Sequence, residues 1–165
     1  MELVLSPVSG GGLLSGVATA VKLAAEAGLA LPNVQVWGAE PELAADAKES
    51  FETKTLVEWP AAKTTRTIGD GLRTQSLGAL NFEHVLRFVD GIVTVSEDEI
   101  LSAMRVMLAA TKLVPEPSGA VTLAAALYHA HELPKARKVA VVLSGGNLEP
   151  ALREQLENEL AERVG

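Results

Sequence analysis

Three consecutive glycines, Gly10, Gly11 and Gly12, stand between the apolar run Leu3-Val4-Leu5 and a long alanine-rich stretch of helical pattern. That order constrains the chain more than any other feature. Residues 3–8 read as a strand and residues 13–27 as a helix, so the glycines must turn one directly into the other. Glycine permits the tight turn and lets backbone N–H groups come close to a ligand. The helix behind it adds unpaired first-turn donors and the positive end of its dipole. Such a unit suits an anion, but taken alone it is more often only a tight turn with close strand–helix packing. A second turn, Ser144-Gly145-Gly146-Asn147, follows the apolar run 139–143. There Ser144 offers one hydroxyl at a strand end, or satisfies a local backbone group while Asn147 caps the last helix. Two glycine-rich strand ends in one chain point to a ligand held from two sides.

The remaining pattern alternates short β-branched runs with helical stretches. After the helix, Gly28 is a natural stop and Pro32-Asn33 a turn into a strand at 34–38. Pro41 suits the first position of a helix reaching residue 51. Residues 52–78, with Pro60, Gly69, Gly71 and many threonines, read as a long functional or disordered loop. A helix at 81–89 and a strand at 92–95 follow. Ser96-Glu97-Asp98-Glu99 forms a capping box for a helix reaching residue 112. Another helix spans 118–132 and is broken by Leu133-Pro134. A strand at 138–143 and a helix at 149–163 complete the chain. This alternation predicts one α/β domain over residues 1–165, an open and mainly parallel sheet with helices on both faces. In such sheets ligands sit beyond the carboxyl ends of the strands. Both glycine turns and Glu40 fall on that edge.

Composition excludes several classes. The chain has 165 residues, of which 48% are hydrophobic but only 4% aromatic, so its core must be aliphatic. A net charge of −7 opposes a nucleic-acid surface. The absence of cysteine excludes disulfides and thiolate metal sites. Lys22 and Glu26 interrupt the longest apolar stretch, and no basic segment precedes the first one, so neither a membrane span nor a signal peptide is expected. The default is a cytoplasmic enzyme domain.

The candidate chemistry is limited. The first turn lacks the Lys-Ser/Thr that ends a P-loop, which opposes nucleoside triphosphate hydrolysis. It also fits the dinucleotide fingerprint poorly, because Ser15 falls where a third glycine belongs, although Glu40 can serve as a ribose-binding acid. Glu40, the Ala44 carbonyl and Asp46 are hard oxygen ligands suited to Mg²⁺ or Ca²⁺. Acidic residues near a helix N-terminus have the same composition. His84, His129 and His131 lack metal-ligand spacing and read as surface or packing residues.

The ordered motifs narrow the reading. Pro7-Val8-Ser9-Gly10-Gly11-Gly12-Leu13-Leu14-Ser15-Gly16, Gly38-Ala39-Glu40-Pro41 and Thr67-Ile68-Gly69-Asp70-Gly71-Leu72 occur in that order. Val95-Ser96-Glu97-Asp98-Glu99-Ile100, Glu116-Pro117-Ser118-Gly119-Ala120 and Leu143-Ser144-Gly145-Gly146-Asn147 follow. Together they resemble the C-terminal half of the threonine dehydratase and serine racemase family, fold-type II pyridoxal-phosphate enzymes. Two positions depart from it: Ser9 stands where the family usually has glycine, and Gly69 where it usually has alanine.

The resemblance implies roles. Backbone N–H groups of Ser9, Gly10, Gly11, Gly12 and Leu13 would hold the phosphate of pyridoxal 5′-phosphate. Ser144 would hydrogen-bond the pyridine nitrogen, leaving it largely unprotonated, and Gly71 and Glu116 would lie beside the ring. Glu40, Ala44 and Asp46 match the divalent-cation site of the serine racemase branch. The implied activity is β-elimination of water from a small hydroxyamino acid to a 2-oxo acid and ammonia, with racemisation as a neighbour. A non-catalytic phosphate-binding module and a dinucleotide-binding domain are the other readings. Family members carry a Schiff-base lysine in an N-terminal half, upstream of the phosphate turn. None of Lys22, Lys48, Lys54, Lys63, Lys112, Lys135 and Lys138 lies in that lysine motif. The chain is therefore expected to be a large-domain fragment, inactive alone, that pairs with the missing half or self-associates as a homo-oligomer.

Overall fold

A computed structural model describes residues 1–111 and 113–164, with the side chains of 163 and 164 left out. Lys112, expected as a charge at a helix C-terminus, lies outside the described residues. Four parallel strands form one sheet: β1 (Leu3–Pro7), β2 (Gln35–Pro41), β3 (Gly91–Val95) and β4 (Val139–Val141), in the order β3-β2-β1-β4. Leu3 pairs with Gln35 on one side and Val139 on the other, and Trp37 pairs with Gly91. The α/β sheet read from the sequence is the one observed.

Side chains alternate across a strand, so β1 feeds two cores. Leu3 and Leu5 join Val93, Val95, Ile100, Met104 and Leu156 on one face. Val4 and Val8 join Leu14, Val36, Val85 and Ile92 on the other. The second face is covered by α1 (Gly12–Glu26) and α4 (Ala79–Phe88), with Ala47 of α2 (Asp46–Thr53) contributing. The first face carries α5 (Glu97–Ala110), α6 (Pro117–Tyr128) and α7 (Pro150–Val164). Each fully buried Val or Leu contributes about 1.5–3 kcal/mol. The buried helix α6 packs against all four strands, and for that reason its residues 117–122 and 124–125 are buried.

Three expectations are corrected. Pro41 does not open a helix: it ends β2, paired with Val95, at φ −68° and ψ 142°. The parallel ladder outcompetes the helix there because a strand end needs no N–H from proline. A 3₁₀ turn (Glu42–Ala44) then precedes α2. The stretch 52–78 is not featureless. It holds a short helix, α3 (Ala61–Thr64), and a 3₁₀ turn (Asp70–Leu72). Thr64 Oγ1 donates to the Arg73 carbonyl, and the Arg73 guanidinium donates to the Thr67 carbonyl at 2.7 and 3.0 Å. Finally, α6 ends at Tyr128 rather than 132; Glu132 and Leu133 donate their N–H groups to the His129 carbonyl instead. The capping box is present as read: Ser96 Oγ accepts from Glu99 N, and Glu99 Oε2 accepts from Ser96 N. Among the described residues, no helix is long and apolar enough to cross a membrane.

Candidate functional site

From β1 the chain crosses to β2 on one side, whereas β4 joins β1 from the other. Crevices of this kind, where neighbouring connections leave a parallel sheet in opposite directions, are where ligands bind. A cavity of about 180 Å³ lies there, lined by Ser9, Gly10, Gly11, Gly12, Leu13, Gly71, Glu116 and Ser144 with Pro7, Leu72 and Ser118. The structure thus brings together both glycine turns and every residue that the motifs placed around one ligand. Larger apolar grooves of about 250 and 400 Å³ open at the amino ends of the strands, around Leu3 and Val139 and around Val4 and Val34. The smaller cavity is the candidate site because it lies at the carboxyl ends of the strands and gathers a helix N-terminus, the Ser118 and Ser144 hydroxyls and the Glu116 carboxylate.

Local geometry explains the glycines. Gly11 is the N-cap of α1 at φ +86°, a left-handed conformation unfavourable for other residues, and a Cβ there would lie 2.8 Å from Leu77 and 2.9 Å from Asn81. Gly10 turns its carbonyl to α4, accepting from Gly78 N at 3.0 Å and Asn81 Nδ2 at 2.7 Å. The amides opening α1 have no acceptor within the helix. On the opposite wall, a Cβ at Gly119 would collide with the Ser144 carbonyl oxygen, so α6 can lie directly against the second turn. Glu116 caps that turn from within: its Oε2 accepts from Asn147 N at 2.9 Å. Ser118, buried at 3% exposure, holds Gly71 by accepting from its N–H at 3.0 Å and donates to Asp70 Oδ1 at 3.3 Å.

Glu40, Ala44 and Asp46 do not line this cavity. All three are buried, at 1%, 1% and 2% exposure. Glu40 Oε1 accepts from Lys48 N at 2.7 Å, while Asp46 Oδ2 has no partner among the described residues. Burial drives the Glu40 carboxyl well above its usual range, and the neighbouring Asp46 adds to it. Burial likewise pushes Asp46 up to about 7, helped by Glu49. Among the described residues, no group of three or more His, Cys, Asp or Glu is arranged to hold a metal.

Sequence reasoning missed several residues around the cavity. Ser118 lay inside a quoted motif, yet nothing marked its side chain. Thr74, whose Oγ1 lies 2.8 Å from Ser9 Oγ, and Asn81 carried no local signal at all. His129 is more than a packing residue: Nε2 lies 3.0 Å from Glu99 Oε2 and Nδ1 2.6 Å from Glu132 Oε1. Burial works against its charged form, but the hydrogen bonds to Glu132 and Glu99 outweigh it and raise its pKa above the ordinary value.

Known proteins are similar to this chain in sequence and in fold. The chain is 37% identical over 142 residues to a serine racemase of Schizosaccharomyces pombe, covering 86% of this chain and 41% of the relative. It is 36% identical over 149 residues to an L-threo-3-hydroxyaspartate ammonia-lyase of Saccharomyces cerevisiae, covering 90% and 43%. The fold superimposes on a T.th. threonine deaminase with a TM-score of 0.80 at 47% identity, covering 89% of this chain and 46% of that one. The chain therefore spans under half the length of the curated relatives it matches. Residues 1–145 match the family described as pyridoxal-phosphate dependent enzyme, and the chain belongs to that family.

Proposed function

We propose that the 9–13 turn, Gly71, Glu116 and Ser144 form the pyridoxal 5′-phosphate site of a hydroxyamino-acid ammonia-lyase. The observation that carries this reading is the single cavity in which the two glycine turns meet. Its residues fit the group. One wall is backbone amide at a helix N-terminus, suited to the phosphate. The other presents a neutral hydroxyl, suited to a pyridine nitrogen. The carboxylate of Glu116 is already engaged by the Asn147 amide. When bound, the cofactor supplies the electron sink for reaction at an amino acid's α-carbon.

This chain's own residues bind and orient. The amides of residues 9–13 anchor the phosphate, Ser144 sets the ring's position without adding charge, and Ser118 keeps Gly71 in place beside it. Among the described residues no lysine lines the cavity, so the Schiff-base lysine comes from the part of the relatives' length that this chain does not span. Serine, threonine and 3-hydroxyaspartate are the substrates that the relatives' names support, by elimination or, in the racemase branch, by inversion. The complementary half, or a second copy, would cover the apolar surface around Met1, Leu29 and Leu31, which are 53%, 84% and 48% exposed.

A second reading rests on the unpartnered Asp46 oxygen. Two buried carboxylates and the Ala44 carbonyl suit Mg²⁺ or Ca²⁺, with water completing the shell. A cation there offsets the desolvation that raises both carboxyls.

The cofactor reading is tested at Gly12, where a Cβ meets no atom within 4 Å. Gly12→Val should fold and lose phosphate and pyridoxal 5′-phosphate binding by steric exclusion, read by ³¹P NMR. Binding equal to wild type would refute it. Gly11→Val is the wrong probe, since it strains the backbone whatever ligand is present.

A further inference from the structure

Asn81 lines no part of the cavity, yet it touches the first glycine turn at two points and the first turn of α1 at a third. Its Nδ2 donates to the Gly10 carbonyl at 2.7 Å. Its Oδ1 accepts from Ser15 Oγ at 3.4 Å. Its Cβ fills the space where a side chain at Gly11 would go, 2.9 Å from that ideal Cβ. The Gly10 oxygen accepts a second hydrogen bond from Gly78 N at 3.0 Å, so both of its lone pairs are committed to α4 and the residue before it.

An anion is attracted by a peptide's N–H and repelled by its C=O. A turn of successive amides therefore works as an anion cradle only if its carbonyls are turned away. The Gly10 carbonyl and the Gly11 N–H belong to one planar trans peptide and point in opposite directions. Holding the oxygen against α4 aims the Gly11 N–H away from α4. Glycines on both sides leave that plane little resistance to rotation of their own.

We propose that Asn81 is the positioning residue of the anion cradle: by holding the Gly10 carbonyl it fixes the peptide plane that presents the Gly11 N–H to a phosphate. The inference rests on the cofactor reading above for its ligand, but not for its geometry. Ser15 keeps the Gly12 carbonyl as a partner at 3.2 Å when Asn81 is replaced, so the substitution acts mainly through Gly10.

The test uses Asn81→Leu, neutral and close in shape, beside Asn81→Ala. Inorganic phosphate is titrated into the 165-residue chain and followed through the amide resonances of residues 9–13. Both variants should bind about tenfold more weakly, the scale of one misaligned charge-assisted hydrogen bond. A role in packing alone predicts loss in Asn81→Ala and retention in Asn81→Leu. Retention in Asn81→Leu overturns the proposal. Without phosphate, the Gly11 amide resonance should move in Asn81→Leu while the sheet amides stay; an unmoved Gly11 amide overturns it also. Wild type that binds no phosphate, with a moved Gly11 amide, refutes the cofactor reading and leaves the positioning intact. Unfolding of both variants overturns it, because Asn81 would then hold the fold and not the turn.

Discussion

Ser9 Oγ lies 2.8 Å from Thr74 Oγ1, a hydroxyl pair joining the first turn to a residue 65 positions away. Ser9 is thereby tied to the stretch that precedes α4. Its partner Thr74 sits just beyond the Gly71-Leu72 end of the third motif stretch, and it also passes within 3.7 Å of where a Gly10 Cβ would lie. The hydroxyl pair is solvent-exposed, and on the proposed reading the phosphate donor at position 9 is the backbone N–H. Ser9→Ala should therefore cost no more than about 0.5–1.5 kcal/mol of stability and leave phosphate affinity within a few-fold. Thr74→Val should reproduce that loss, and the double variant should add nothing further. A thermal-melt double-mutant cycle with additive losses would show the two hydroxyls to be independent.

Addition of Mg²⁺ or Ca²⁺ should raise the melting temperature, because a ligand that binds only the native state stabilises it. Glu40→Gln keeps the shape and a hydrogen-bond acceptor for Lys48 N while removing one charge, so the metal-induced rise should vanish. Equal rises in wild type and Glu40→Gln would place the effect elsewhere. The acids would then be explained by their position around the start of α2 alone.

What the sequence reveals and what it hides divide along one physical line. The strand–glycine–helix turn, the Ser96–Glu99 box and the parallel sheet are written in patterns a few residues long, and all three appear in the structure. The meeting of the 9–13 turn with Ser144 follows once both lie at carboxyl ends of parallel strands. Asn81 on Gly10 joins residues 71 apart, and His129 on Glu99 joins residues 30 apart. No local periodicity encodes such pairs; they exist because α1 packs on α4 and α5 on α6. Pro41 shows the converse. Its local preference for a helix start is real, but the ladder to Val95 overrides it.

His129 sets a pH dependence of known sign. Its pKa is raised above the ordinary value of about 6.5, so its contribution is complete below that value and is lost as pH climbs through the folded value. Burial opposes the charged form of Glu99, but its hydrogen bonds to Ser96 and His129 prevail and lower its pKa; the hydrogen bond to His129 lowers that of Glu132. Their contributions are complete above the ordinary value of about 4.5 and are lost as pH falls through the lower folded values. The cluster is therefore most stabilising between these limits. His131, stacked on His129 with centroids 5.9 Å apart, and Lys48 face the same group. His129→Gln should flatten the decline in melting temperature between pH 6 and 8. An identical decline in the variant would assign it to other groups.

The 165-residue chain by itself should not turn over L-serine, L-threonine or 3-hydroxyaspartate. On the proposed reading its cavity anchors a phosphate and orients a ring, but among the described residues no lysine or histidine lines it. Glu116, the carboxylate among those lining residues, is engaged with the Asn147 amide. A positioned proton-transfer group contributes about 10²–10⁴-fold, and losing covalent attachment of the cofactor removes more. Binding and turnover should therefore separate: ³¹P NMR detects the cofactor, while 2-oxo acid formation stays at the rate of free pyridoxal phosphate with Mg²⁺ supplied. Adding a polypeptide that carries the remaining portion of a relative's length should restore elimination if the two halves dock. Sustained turnover by the pure chain, with borohydride trapping the cofactor on one of its own lysines, would show that this chain carries its own Schiff-base residue.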